Sequence, residues 1–467
     1  MISRHFFVVF ARLERQYGQS ESRECIATSS DILTVRGAGE KLERIVKTKK
    51  LINQRNYKMK LNKWTIGLAA VGAVSLASVV QAEEKASSLL TAVSSTMLSG
   101  YVDTSAQWNF GTGNAHNPGY AFNNSSKADG FNLNVVKLSL EKVADSGDSW
   151  GAGYKVDALF GPDANALGTQ SSGFGGTDFG IKQAYVDLKA PVGNGLDLKM
   201  GVFDTIIGYE VFDSASNPNF TRSYGYTIEP TTHTGLLGSY TVNSVLSFSA
   251  GVANTYGPVI NGRANPGAPF AGGAVTGTQA ESYKTYLAST TLTAPKDWGF
   301  ISGSTLTGVI INGYNNAIGA DQTSFYGGAA LNTPLKELKV GASYDYVGIT
   351  KNHAAASSAY QNATGLYGTY QASEKLSLNL RGEYFSQSGP LAAASVNGFT
   401  GTVLPREAIE GTATVQYDLW KNVISRVEFR WDRNVGGGVG TATNPGFGAA
   451  GNQKNAFEVI GNVIYKF

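Results

Sequence analysis

The chain has 467 residues, of which 16% are charged, 42% are hydrophobic and one is cysteine. Soluble domains usually carry roughly 25% charged residues, and their glycine content is ~7%, against 57 glycines in this chain. With 23 Tyr, 22 Phe and four Met, the composition suits aromatic-bearing strands and Gly-rich loops. It excludes a coiled coil, a disordered tail and a disulfide scaffold.

The formal net charge of +3 hides two unlike parts. Residues 1–58 carry 12 basic and 6 acidic side chains, and residues 59–82 add two lysines and no acid. The remainder is mildly acidic, so no nucleic-acid partner is expected. Cys25 lies in the first part, so the rest can form neither a disulfide nor a thiolate metal site.

Residues 59–82 read MKLNKWTIGLAAVGAVSLASVVQA. Lys60 and Lys63 precede an apolar run from Trp64 to Val80, and Val80-Gln81-Ala82 forms a small-residue cleavage site. The run is short for a membrane span of ~20 residues. A cleaved signal peptide is expected at 59–82, with the mature chain starting at Glu83. A signal belongs at the start of a protein. Residues 1–58 therefore read as an upstream, misannotated extension; the alternative is a genuine cytosolic extension removed with the signal. Residues 83–97 form a periplasmic lead-in, and 98–467 a barrel.

From Leu98 onward the pattern has a period of two. Phe457, Val459, Gly461, Val463, Tyr465 and Phe467 share one face, while Glu458, Ile460, Asn462, Ile464 and Lys466 share the other. Alternate strand residues point to opposite faces, so these are strands with one apolar face. Sixteen such segments are predicted, at about 98–110, 130–142, 150–160, 180–190, 195–203, 229–241, 244–254 and 282–294, then 298–312, 322–333, 335–348, 361–372, 374–387, 406–418, 422–433 and 455–467. Short turns such as Ala294–Asp297, Thr333-Pro334 and Ser373 alternate with long links such as 111–129, 204–228, 255–281, 388–405 and 434–454. All 13 prolines fall in links, in turns or at strand starts.

A soluble sandwich has no reason to segregate long and short connections. An outer-membrane barrel does, and its closure satisfies every backbone polar group where water is absent. The predicted fold is therefore all-β, a transmembrane antiparallel up-and-down β-barrel of about 16 strands. Trp108 and Trp431 fall at long-link ends of strands, and Trp150, Trp298 and Trp420 at short-turn ends, as interfacial girdles require.

The alternating segment ending in Phe467 resembles the C-terminal strand of bacterial outer-membrane proteins that the assembly machinery reads. The resemblance implies an assembly signal in Phe457, Val459, Val463, Tyr465 and Phe467. A second stretch, GVFDTIIGYEVFDSASNPNFTRSYGYTIEPTTHTG (201–235), resembles the OmpL-like β-barrel porins. Gly208, Glu210, Asn217, Pro218, Asn219, Arg222, Ser223, Pro230, His233, Thr234 and Gly235 carry the likeness. Thr221 and Val202 depart from it, the latter where a basic residue is expected. The resemblance implies a porin but no particular solute, and a link after the fifth strand that folds into the lumen.

Inward positions by the period-two count include Lys137, Glu141, Asp157, Asp187, Asp197, Lys199, Lys339, Asp345 and Asp418, implying a wet interior. Half-way round a sixteen-strand ring from the third long link, the wall presents Arg381, Arg426 and Arg430 beside Glu383, Glu428 and Asp432. Asp204, Glu210, Asp213 and Arg222 on the link would face them across a constriction, creating a transverse field. Alternatively, the link packs outside and the arginines pair with Glu383, Glu428 and Asp432.

No G-x-S-x-G or H-E-x-x-H occurs, and the three mature histidines, His116, His233 and His353, lie far apart. No catalytic residue, metal site or cofactor is expected. The reading is a bacterial outer-membrane porin that lets small hydrophilic solutes and ions diffuse through a water-filled barrel. Its partners would be outer-membrane lipid, the solutes, the assembly machinery and, by analogy with porins of this size, two further copies in a homotrimer. A structural or adhesive barrel, or an outer-membrane hydrolase using His233, stands as the alternative.

Overall fold

A computed structural model describes residues 95–111, 116–145, 149–170, 177–264, 283–316, 320–350, 358–388, 404–441 and 444–467. The extension 1–58, the signal 59–82 and most of the lead-in 83–97 lie outside the described residues.

The first strands are β1 (Met97–Asn109), β2 (Gly130–Lys142), β3 (Gly151–Phe160) and β4 (Phe179–Ala190). Next come β5 (Leu196–Asp204), β6 (Thr232–Thr241), β7 (Leu246–Ala253) and β8 (Thr285–Thr293). They are followed by β9 (Thr305–Asn315), β10 (Ala320–Asn332), β11 (Leu338–Ile349) and β12 (Ala359–Gln371). The last are β13 (Leu376–Gln387), β14 (Glu407–Trp420), β15 (Val423–Asn434) and β16 (Asn455–Lys466). Each pairs antiparallel with its chain neighbours, and β1 pairs with β16, so sixteen strands close into one barrel.

Several strands begin two or more residues later than their pattern suggests, and the sixth and ninth show why. The sixth starts at Thr232 rather than 229, because a short helix, Tyr224–Ile228, and Pro230 occupy its approach. The ninth starts at Thr305 rather than 298. Gly299 and Gly303 take φ of +63° and +77° around a 3-10 turn, Gly299–Ile301, which a strand cannot contain. The Ala294–Asp297 turn is thus part of a longer connection. On the long-link side, β9 and β10 are joined only through 316–319.

Alternation sorts the side chains. Leu138, Val186, Leu188, Met200, Phe248, Leu306, Phe325, Leu366, Leu380, Val427 and Val463 are exposed on the outside. An exposed apolar belt of this extent suits hydrocarbon rather than water. Trp150, Trp298 and Trp420 are exposed at short-connection ends, and Trp108 at the opposite end of β1.

The seam is tight. Gly100 and Phe467 exchange two backbone hydrogen bonds, each of 3.0 Å. A Cβ on Gly100 would strike the Lys137 carbonyl on one side and the Phe467 ring on the other. Phe457, Val463, Tyr465 and Phe467 point outward from this last strand.

Deleting Phe467 removes both seam bonds, each worth about 0.5–1.5 kcal/mol. The fraction of heat-modifiable barrel recovered from membranes should fall, and Gly100→Val should lower it further. Unchanged recovery for both variants would dismiss the seam as a determinant of closure.

Candidate pore constriction

The connection between β5 and β6, residues 205–231, turns into the barrel instead of outward. Its neck is closed by the backbone bond from Thr205 N to Thr231 O (3.0 Å). The His233 Nε2 and Thr205 Oγ1 atoms, 3.2 Å apart, reinforce it. His233 is buried in β6 and serves this neck. At the entry, Gly208 has φ +118°, and any side chain there would meet the Glu229 carboxylate. Burial first, and the neighbouring Asp345 carboxyl next, hold Glu229 well above the ordinary carboxylate range.

The loop is shaped by its own polar side chains. Asn217 brackets Val211, accepting from its N–H (2.9 Å) and donating to its carbonyl (2.6 Å). Ser223 caps the short helix α1 (Tyr224–Ile228), accepting from Tyr226 N at 2.9 Å. Arg222 donates to the carbonyls of Phe220 (2.7 Å) and Phe212 (2.5 Å), and its guanidinium lies over Phe122 and Tyr226. Arg222 therefore braces the loop and does not face the wall. Pro218 is half-buried beside Asn219, which donates to Thr414 Oγ1 at 2.7 Å. Thr234 accepts through its carbonyl from Asn254 N (3.0 Å), and Gly235 admits the Val252 carbonyl where a side chain would block it.

The wall of β13, β14 and β15 holds the loop through buried charge. Arg381 donates to Glu210 Oε1 (2.8 Å), to the Thr221 carbonyl (2.7 Å) and to Glu410 Oε1 (3.1 Å). Glu383 accepts from the N–H groups of Tyr224 (2.8 Å) and Gly225 (3.2 Å). Glu428 accepts from those of Phe220 (2.6 Å) and Thr221 (2.9 Å). Arg430 grips Asp432 bidentately, at 2.8 Å twice, and donates to the Arg222 carbonyl at 2.7 Å. Arg426 donates to the carbonyls of Ser214 (2.9 Å) and Asn217 (3.1 Å). All of these wall residues are buried under the loop. Loop and arginines thus meet inside the lumen, but Glu210 is the one acid of the loop's expected set that reaches an arginine.

Asp213 turns to β1 and β2, and Asp204, at the end of β5, turns to β4. Asp213 pairs with Lys137 at 2.8 Å and accepts from Tyr101 OH at 3.0 Å. Lys137 also contacts Asp157 at 3.2 Å, and Lys182 pairs with Asp204. Burial alone would raise the Asp213 carboxyl, but the Lys182 and Lys137 ammoniums outweigh it and hold the group below the ordinary range. Lys182 escapes the period-two reading because of a register shift between Asp157 and Ala158, opposite Gln183 and Ile181. A bulge of this kind lets two successive residues, Lys182 and Gln183, both face inward.

Apolar contacts complete the seating. Phe212 packs with Val135, Leu159 and Ile464, and Ile207 with Tyr256, Leu287 and Ile311. Tyr224 and Ile228 pack with Val347 and Phe385, and Tyr209 stacks on Tyr367 with ring centroids 3.9 Å apart. Below the loop, toward the short connections, the inward face is water-accessible. There Lys155, Asp187, Lys199, Ser239, Ser249, Thr291 and Thr307 are half-buried. Among the described residues no group of three or more His, Cys, Asp or Glu side chains is placed to hold a metal ion.

Arg381→Gln would strand Glu210 and Glu410 as buried carboxylates without their cation, a loss of about 3–5 kcal/mol. The temperature at which the folded band disappears on gels should drop sharply. Arg381→Lys should recover only part, since an ammonium lacks the guanidinium fork. An unshifted R381Q barrel would rule out the clamp.

The depressed Asp213 carboxyl contributes stability that is complete above its ordinary value of about 3.9. That contribution disappears as pH falls through the lower folded value. The melting difference between wild type and Asp213→Asn should be constant from about pH 5 to 8 and shrink below about pH 4. A difference that persists in acid would show that Asp213 does not anchor the loop through its charge.

Residues 95–467 match one family model, described as "Putative beta-barrel porin-2, OmpL-like". Among curated proteins, none matches the chain by sequence. The outer-membrane channel DcaP of Acinetobacter baumannii is similar in structure, with 14% identity and a TM-score of 0.49, covering 80% of this chain and 97% of its own. An anion-selective porin from Comamonas acidovorans has 14% identity and a TM-score of 0.49, covering 80% and 99%. The trimer form of OmpT from Vibrio cholerae has 13% identity and a TM-score of 0.48, covering 80% and 99%.

Proposed function

The chain belongs to the OmpL-like β-barrel porin-2 family and is a bacterial outer-membrane channel for solutes, and from that premise we propose that small hydrophilic solutes and ions cross it by diffusion past the inward loop. Membership of a porin family points to a channel rather than an enzyme. Passage of this kind requires no cofactor and no covalent step.

One observation carries the reading: the inward loop is fixed to the wall by buried charge, while the lumen beneath it keeps a wet, polar lining. A barrel of about sixteen strands is wide enough for an aqueous path once its interior is polar. Hydroxyls on β6 to β9 and the charged residues of β3 to β5 supply that lining. Arg381, Glu383, Arg426, Glu428 and Arg430, together with Glu210 and Arg222, have the role of holding the loop that sets the bore. Asp204 and Asp213 are left as members of the charged set nearer to passing solute.

The same reading takes the mature chain to begin at Glu83 and to be inserted by the outer-membrane assembly machinery, with the residues around Phe467 as its signal. It places outer-membrane lipid against the apolar belt and the barrel in a homotrimer.

Purified mature protein in planar bilayers should give ohmic conductance steps. Liposomes containing it should swell at rates that fall with solute size. A folded, heat-modifiable barrel that supports neither current nor swelling would overturn the channel reading.

A further inference from the structure

The ion pairs on the lumen wall are lopsided. In the Lys182–Asp204 pair, the lysine side chain is 3% exposed and the aspartate 41%. In the Lys137–Asp213 pair, the values are 9% and 28%. The same order holds, less steeply, for Lys155 with Glu141 and for Lys189 with Asp197. Asp157, wholly buried against Lys137, is the exception among these pairs.

The cause is geometric. A lysine stem is long and lies along the wall, carrying its ammonium in among carboxylates from the neighbouring strand and the loop. Lys182 shows this, packing over the Phe212 ring at 5.5 Å. The shorter aspartates then stand on the water side.

Among the described residues no arginine that faces them near the loop is exposed; Lys339, an inward and exposed cation on β11, sits at the short-connection end of its strand, away from the loop. Arg381, Arg426 and Arg430 lie beneath the loop, and Arg222 is buried against Phe122 and Tyr226. Lys199 is half-buried over the Tyr185 ring, but Asp187 stands opposite it in register and offsets its charge. The Lys137–Lys182 group itself contains three carboxylates, Asp157, Asp204 and Asp213, against two ammoniums.

We propose that this pore prefers cations to anions, and that Asp204 and Asp213 at the rim of the inward loop determine the preference. The inference rests on the channel reading above and adds the sign of the charge that the channel favours. A passing ion responds most to the charges it approaches closely, because low-dielectric walls focus their field and salt screens the rest. Here the near charges are negative and the positive ones are recessed.

The test is a reversal-potential measurement on the full mature barrel in planar bilayers under a KCl gradient. At about 0.1 M salt, where the Debye length is about 10 Å, potassium should permeate severalfold better than chloride. The ratio should decline toward one near 1 M, where that length is about 3 Å. Replacing both acids, Asp204→Asn with Asp213→Asn, should bring the low-salt ratio toward one, and Asp204→Asn alone, which leaves the Asp213 anchor in place, should move it part of the way. If the double variant fails to assemble, the sign of the wild-type potential still decides. A wild-type ratio at or below one overturns the cation preference, a double variant that keeps the wild-type ratio overturns its assignment to Asp204 and Asp213, and either result leaves the channel reading intact. A folded barrel that carries no current overturns the channel reading and this inference together.

Discussion

A backbone N–H or C=O in hydrocarbon has no water to bond, and that constraint governs the rest of the molecule. A sheet can meet it only by closing on itself, because every open edge exposes a row of unpaired groups. The β1–β16 ladder and the paired Gly100–Phe467 bonds are that closure. Once the sheet closes, alternation divides each strand into a lipid-side residue and a lumen-side residue. The outer residues have to be apolar. The inner ones are free to carry charge, and they do.

Charge in the lumen does two different things. On β13 to β15 it is buried and fully engaged. Arg381 serves Glu210, Glu410 and a loop carbonyl at once, and Glu383 and Glu428 each accept two loop N–H groups. A loop enclosed in a barrel has backbone groups that need partners as much as a strand does. These side chains are the partners, and they fix where the loop lies. On β2 to β5 most of the pairs are only partly covered, so water and ions still reach their acids, with the buried Asp157 as the exception. The same residue types thus act as fasteners on β13 to β15 and as a field source on β2 to β5, and Asp213, paired with Lys137 but still partly exposed, does both.

The inward loop also shows why a motif can be more local than its function. Gly208, Asn217, Ser223 and His233 each act within a few residues or across the loop's own neck. They make a shape rather than contact a solute. Glu210 is different: its partner, Arg381, is brought near only by the closure of the ring.

Strand number, the inward and outward faces and the side on which long loops gather were all legible in the sequence. Each follows from the fixed two-residue period of a strand and from the positions of Gly, Pro and Trp, and none of these depends on distant contacts. The presence of both an acidic loop and an arginine wall was legible as well. Which acid meets which base was not. Asp213 reaches Lys137 rather than an arginine, Arg222 turns back on its own loop, and Lys182 faces inward through a bulge that no period of two can reveal. Those outcomes depend on how a 205–231 loop folds across a lumen, where competing partners lie within a few ångströms of one another. Only the closed barrel brings them that close, so only the tertiary structure decided which charges are buried as fasteners and which face the water.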